Sequence, residues 1–189
     1  SYVDINYGPD DLSEAISDLY TSELVPLKEF PKFNTTSYKK INSNYQRMLR
    51  KGYRKKIPDS HRFANHTEKT LEKFQYFLDF SEKGKPISAR TKEVFNIKKR
   101  TIILLSGEKQ APTLTTLPDD YIHYSEPRIF TVREYARIQS FNDWYEIKGK
   151  YTTGGKQRTL EVPRYSQLGN AIPPLFGEQA GIVLNQIIS

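Results

Sequence analysis

The chain has no cysteine among its 189 residues. That excludes disulfides, cysteine-based zinc sites and any cysteine nucleophile, and it leaves the redox compartment open. No apolar run approaches the roughly 20 residues a membrane helix requires, and only 37% of the residues are hydrophobic. The N-terminus shows no charged stretch followed by an apolar one, so no secretory signal is read. The expectation is a cytoplasmic protein with no membrane partner. The three histidines, His61, His66 and His123, match no metal-ligand spacing, and surface or core roles are the simpler reading. There is no internal repeat or low-complexity tract. The length suits one core, or one domain with a smaller lobe.

What the chain does have is an uneven charge. Residues 1–38 hold 2 Lys/Arg against 7 Asp/Glu, whereas residues 39–62 hold 9 against 1. Residues 63–100 remain basic, and 101–189 are balanced at 9 against 9. A basic patch in mid-chain attracts polyanions, of which duplex DNA is the commonest. The bland alternative is a solvated lysine-rich face. Lys39, Lys40, Arg47, Arg50, Lys51, Arg54, Lys55 and Lys56 are the candidate phosphate contacts, followed by Lys98, Lys99 and Arg100.

Local signals mark the elements. Asp11 with Glu14 three residues on predicts a helix over about 12–20. Ser37 is placed to cap a second helix running to Lys51, with Gly52 as its stop. A third helix is expected over 68–82, capped by Thr67, with Leu71, Phe74 and Leu78 on the buried face. Residues 101–105 and 113–117 read as strands. Thr131-Val-Arg-Glu134 has the form of a capping box opening a helix that runs to about Phe141. Residues 148–164, with Gly149, Gly154 and Gly155, read as a mobile loop. Pro173 and Pro174 suit the first turn of a last helix that runs to about Ile188, with Ile182, Val183 and Ile187 as its buried side.

From Ala111 onward the sequence reads APTLTT, then IHYSEPRIFTVREYARIQSFNDWYEIKG, then GGKQRTLEVPRYSQLGNAIPP. This resembles the C-terminal third of bacterial DNA cytosine C5-methyltransferases, in which a recognition region precedes a TVRE helix and a Gly-Asn-Ala-hydrophobic-Pro-Pro segment. Earlier, Glu14-Ala-Ile-Ser-Asp-Leu19 and Asn65-His66 agree more loosely, with Tyr20 standing where the family usually has proline. Asn142 replaces the proline of a Phe-Pro-Asp turn. The family's methyl-donor loop, Pro-Cys nucleophile, Glu-Asn-Val and Gln-x-Arg-x-Arg segments have no counterpart here. The chemistry needs a thiolate to add to C6 of cytosine, because C5 is otherwise too poor a nucleophile. The resemblance therefore implies a part of an enzyme: duplex DNA and a catalytic chain or domain carrying the cysteine as partners, and S-adenosylmethionine bound only together with that missing part.

By the same resemblance, Thr113 contacts a phosphate beside the displaced cytosine, where a hydroxyl fixes register without reading sequence. Thr115 also aligns with the family's recognition core and is a DNA-binding candidate with it, although packing in a strand is the simpler reading of that residue. Thr131, Arg133 and Glu134 belong to the helix joining the recognition region to the catalytic domain, with Arg137 and Gln139 packing and hydrogen bonding behind them. Asn170, Ala171 and Ile172 border the methyl-donor pocket, a helix N-terminus there aiming amides at an anionic group. Tyr165 and Gln167 support that segment. The expected fold is α+β: a small mixed recognition domain with short strands over 1–130, and C-terminal helices over 131–189 that complete a doubly wound methyltransferase domain. The rival readings are a stand-alone DNA-binding module and, on the charge and 13 tyrosines alone, a general RNA-binding protein.

Overall fold

The computed structural model describes residues 9–152 and 160–188. The fold is mixed α+β, with seven α-helices and two small sheets among the described residues. Helix α1 (Leu12–Ile16) starts as expected, with the Asp11 side chain accepting from the Glu14 amide, and continues as a 3-10 turn over Ser17–Leu19. A two-residue antiparallel ladder joins β1 (Val25–Pro26) to β2 (Asn34–Thr35).

The second helix is shorter than expected. α2 spans Asn44–Leu49 and is capped by Ser43, whose hydroxyl accepts from the Gln46 amide. Ser37 does not cap it, because the chain after it is extended: Tyr38 and Lys39 donate their amides to the Lys56 and Asp18 carbonyls. Gly52 does end the helical region, at a φ of +80° that suits glycine. α3 (Glu68–Phe80) buries Phe74 and Phe77, and Leu78 only in part. Leu71, expected in that core, is 41% exposed because the buried face is centred on Phe74 and Phe77.

β3 (Lys85–Pro86), β4 (Ile103–Leu104) and β5 (Tyr121–Ile122) form the second sheet, antiparallel then parallel, with α4 (Ala89–Val94) between β3 and β4. Side chains alternate across a strand, and here the alternation separates two cores. Leu104 and Ile122 join Phe74, Phe77, Ile87 and Ile102 on one side. Leu105 and Tyr121 face the other, larger core with Leu12, Ile16, Leu49, Phe130, Tyr135 and Leu168. That larger core draws on α1, α2, α5 (Val132–Ile138) and α6 (Arg164–Gly169) together. The division expected at residue 130 is thus not a division between cores.

The strand expected over 113–117 is absent. Residues 111–115 are irregular and lead to a 3-10 turn at Pro118–Asp120. The Thr115 hydroxyl donates to the Leu117 carbonyl or the Asp120 carboxylate, which closes a turn and leaves no ladder. α7 (Pro174–Ile188) begins at the expected prolines. Its residues Ile182, Val183 and Ile187 are not buried by this chain: Val183 is 53% and Ile187 73% exposed, and Ile182 is half-buried. Of the expected loop over 148–164, residues 153–159 lie outside the described residues. No helix among the described residues is long and apolar enough to cross a membrane.

Candidate nucleic-acid interface and the helix behind it

α5 organises the molecule. Its capping box is complete: the Thr131 hydroxyl accepts from the Glu134 amide, and the Glu134 carboxylate accepts from the Thr131 amide at 2.7 Å. Three long polar side chains of α5 are fully buried, and each is paired. Arg133 donates to the Asp59 carbonyl (2.8 Å) and carboxylate (3.1 Å), and to the carbonyls of Tyr145 (2.8 Å) and Asn142 (3.3 Å). Glu134 accepts a bidentate pair from Arg128 at 2.7 and 2.8 Å. Arg137 donates to both oxygens of Asp143 at 2.6 and 2.7 Å, to Asp18 at 3.1 and 3.2 Å, and to the Ala15 carbonyl at 2.9 Å. Gln139 caps the carbonyl of Leu168 at 3.1 Å. Helix α5 therefore ties α1, the 59–60 segment, the 142–145 turn and α6 into one body.

The electrostatics follow from burial opposed by pairing. Burial alone would raise the pKa of Glu134, but the Arg128 guanidinium outweighs it and holds the carboxyl at about 2. His61 and His123 lie beside this pair. Burial lowers His61 to about 4 and His123 to about 3, so both are neutral at pH 7. His61 bridges the Thr131 hydroxyl and the Leu19 carbonyl, each at 2.9 Å. His123 stacks on Tyr124 and packs at a tilt against Phe130. His66 packs edge-on against Phe74.

The C-terminal segment meets the region after Ala111 through Gly169. A Cβ on Gly169 would fall 2.6 Å from the Thr115 carbonyl oxygen. The structure thus brings the Thr113–Thr115 stretch against the start of Gly-Asn-Ala, with both threonines exposed. Tyr165 donates to the Phe130 carbonyl at 2.7 Å, and Gln167 donates to the carbonyls of Lys148 and Val162, each at 2.9 Å. One expectation fails here. Residues 170–172 are not a helix N-terminus but the C-cap of α6 and the link to α7, and the amides of Asn170 and Ala171 are taken by the carbonyls of Ser166 and Leu168. What the segment presents is side chains, with Asn170 exposed and Ile172 71% exposed.

The basic candidates divide into two kinds. Lys39, Lys40, Arg47, Lys51, Arg54, Lys55, Lys56, Lys98 and Arg100 are exposed. Lys55 pairs with Glu146 at 3.0 Å, at the surface. Arg50 is held by Asp18 and the Lys39 carbonyl, each at 3.1 Å, and lies over the Tyr38 ring. Lys99 is engaged by Asp119 and Asp120, each at 2.7 Å. Several residues of this framework escaped the sequence reading: Asp18, Asp59, Arg128, Asp143 and Arg164. Their sequence signal was a charge set inside otherwise apolar segments, as in Ile16-Ser-Asp-Leu19.

The family model for C-5 cytosine-specific DNA methylase matches residues 12–185. The chain belongs to that family. It is 32% identical over 180 residues to the Type II methyltransferase M.DdeI of Desulfomicrobium norvegicum, a match covering 88% of this chain and 40% of that protein. It is 31% identical over 121 residues to M.AquIB of a Picosynechococcus strain, covering 63% of this chain and 81% of the relative. With M.NgoFVII of Neisseria gonorrhoeae, identity rises to 50% over 52 residues, covering 28% of this chain and 11% of that one. The chain thus spans about two-fifths of the length of M.DdeI.

Proposed function

We propose that this chain is the target-recognition and C-terminal part of a DNA cytosine C5-methyltransferase of a restriction–modification system, working in the cytoplasm with a catalytic part that carries the cysteine. The observation that carries the reading is the family match over 12–185 in a chain with no cysteine at all. The body built on α5 supplies the rigid scaffold; the exposed cations of 39–56 and 98–100 contact phosphates, and Thr113 fixes register beside the target cytosine. That base must leave the stack to be methylated, and contacts from this part hold the duplex around the gap. The division at 130/131 is functional: recognition before it, the helices that complete the catalytic domain after it.

A methyl donor fits the segment after Gly169 in kind but not in full. Asn170, Ala171 and Ile172 offer an amide and an apolar side chain at the surface, which make one wall of a pocket and need another part to enclose it. S-adenosylmethionine supplies the methyl group when bound there. The 81% coverage of M.AquIB supports a separate-subunit arrangement, since that relative is itself a short chain built largely of this segment.

The test is methyl transfer from labelled S-adenosylmethionine to mixed-sequence duplex DNA, by the chain alone and mixed with the cysteine-bearing product of the adjacent reading frame. Activity in the mixture only is the expected result. Activity from the chain alone would overturn the reading, because nothing in it can form the covalent adduct. Specific DNA binding with no activity in either case would favour the stand-alone module.

A further inference from the structure

Arg62 is the one basic side chain of the 39–62 stretch enclosed by aromatic rings on two sides. Its guanidinium carbon lies 3.9 Å from the centre of the Phe33 ring and 3.7 Å from that of Tyr151, with Phe30 at 5.5 Å. Among the described residues it makes no hydrogen bond and no ion pair. Its Nε is buried without a partner, and the residue as a whole is half-buried. Burial draws its pKa down, and nearby Arg164 adds to that.

This is an unusual way to use an arginine for packing. A guanidinium has five donors in a rigid fork, and every other arginine enclosed among the described residues spends them: Arg128 on Glu126 and Glu134, Arg133 on Asp59, Arg137 on Asp18 and Asp143, Arg164 on Gly149 and Ser60. Arg62 is held in one orientation by its rings and spends none. Arg164 lies over the same Tyr151 ring at 4.2 Å and likewise has no carboxylate partner among the described residues. Two positive charges therefore share one aromatic wall with no described acid paired to either. The site also sits at a junction. Arg62 follows closely on the basic run that ends at Lys56, and Tyr151 stands where the chain leads to α6 and the Gly-Asn-Ala segment.

We propose that Arg62 is a preformed clamp for DNA, its fork taking a pair of acceptors of the duplex, either two oxygens of one backbone phosphate or the O6 and N7 of a guanine. The inference rests on the reading of this chain as a DNA-recognition part. Stacking on Phe33 and Tyr151 removes the rotamer freedom that a surface arginine loses on binding, and a planar fork matches either acceptor pair. Arg62 then belongs to the interface although it stands apart from the lysine-rich surface.

The test is binding of a fluorescent duplex carrying a site selected from a random pool, measured by anisotropy over a range of salt for the full chain and for Arg62→Met and Arg62→Lys. Circular dichroism checks the fold of each, and Arg62→Lys, which keeps stem and charge, carries the test if Arg62→Met does not fold. A phosphate clamp predicts that Arg62→Met binds about tenfold more weakly on every sequence, with the salt slope reduced by about 0.9, and that Arg62→Lys retains most of the affinity but not all. A guanine clamp predicts about tenfold loss in both variants, confined to the selected site and relaxed at one base pair. Wild-type affinity in folded Arg62→Met, or in Arg62→Lys should the methionine variant not fold, overturns the inference while the DNA reading stands. Failure of the unsubstituted chain to bind duplex, alone or with the catalytic part, sinks the DNA reading itself.

Discussion

Gly169 and Thr115 touch backbone to backbone: a Cβ on Gly169 would lie 2.6 Å from the Thr115 carbonyl oxygen and 2.8 Å from its carbonyl carbon. The neighbour is main chain and cannot swing aside as a long side chain would. Gly169→Ala must push the 113–116 stretch away from the end of α6. An insertion into such tight packing costs about 1–3 kcal/mol. Urea unfolding of this variant is expected to show a loss of that size. A variant as stable as the parent would mean that the 113–116 stretch moves freely, and that its position is not set by α6.

Arg137 is the second point of strain if disturbed. It neutralises Asp18 and Asp143, both fully buried. Burial pushes the Asp18 carboxyl up even with Arg137 in place. Removing the cation leaves Asp18 with Arg50 as its ion-pair partner, and Asp143 with the Tyr38 hydroxyl and the more distant Arg133; breaking a buried pair costs about 3–5 kcal/mol. Arg137→Met is expected to lose that much, and adding Asp18→Asn is expected to restore part of it. A loss below about 1 kcal/mol would place these charges in the class of surface pairs.

Stability should fall early on acidification. His61 and His123 have folded pKa values of about 4 and about 3, below their usual 6.5. The unfolded chain therefore takes up protons near pH 6.5 that the folded one refuses. Their contribution is complete above 6.5 and drains away as pH falls towards 4 and 3, at about 1.4 kcal/mol per histidine per pH unit. Glu134 adds a lower phase, because its stabilisation is present above 4.5 and is lost as pH falls through about 2. His123→Phe keeps the packing on Tyr124 and Phe130 and removes one of the two histidine slopes. Unfolding midpoints from pH 4 to 8 are expected to decline below 6.5 in the parent and roughly half as steeply in the variant. A flat profile in the parent would show that both histidines are protonated without cost.

How much of this was legible in the sequence depended on distance along the chain. The Thr131–Glu134 box was readable because both partners lie within one turn. Arg133 and Arg137 were readable as hydrogen-bonding residues but not in their partners, since Asp59 and Asp18 lie 74 and 119 positions away. Helical spacing put Phe74 in a core but could not orient the face, so Leu71 was misplaced. Alternating Thr and Leu at 113–117 suggested a strand, where the Asp120 carboxylate draws Thr115 into a turn instead. At Asn170 the motif was recognisable, yet whether its amides were free depended on where α6 stopped.

The basic residues should separate by whether this chain already engages them. Lys40, Arg54 and Lys56 are exposed, whereas Lys99 is held by Asp119 and Asp120. Removing one cation from a phosphate lowers the salt slope of duplex binding by about 0.9. The triple variant Lys40→Gln/Arg54→Gln/Lys56→Gln is expected to lower the slope by close to three times that amount, with little change in stability. Lys99→Gln is expected to leave the slope unchanged. Equal slopes for the triple variant and the parent would reduce the patch to a solvated face.

α7 poses a different question, because it is apolar and none of its described residues is buried. Phe176, Val183, Leu184, Ile187 and Ile188 are all more than half exposed. An apolar strip of that kind marks an interface, and the proposed catalytic part is the surface it would close on. Val183→Asp with Ile187→Asp changes only side chains that this chain leaves largely exposed. The pair should leave its own unfolding within about 0.5 kcal/mol of the parent. The same pair puts two unpaired carboxylates into any apolar joint, where desolvation is costly. Methyl transfer by the reconstituted mixture is therefore expected to fall by more than about tenfold, and co-elution of the two parts to disappear, while duplex binding by this chain persists. Full activity with both substitutions would move the joint elsewhere, leaving α7 to cover some other surface.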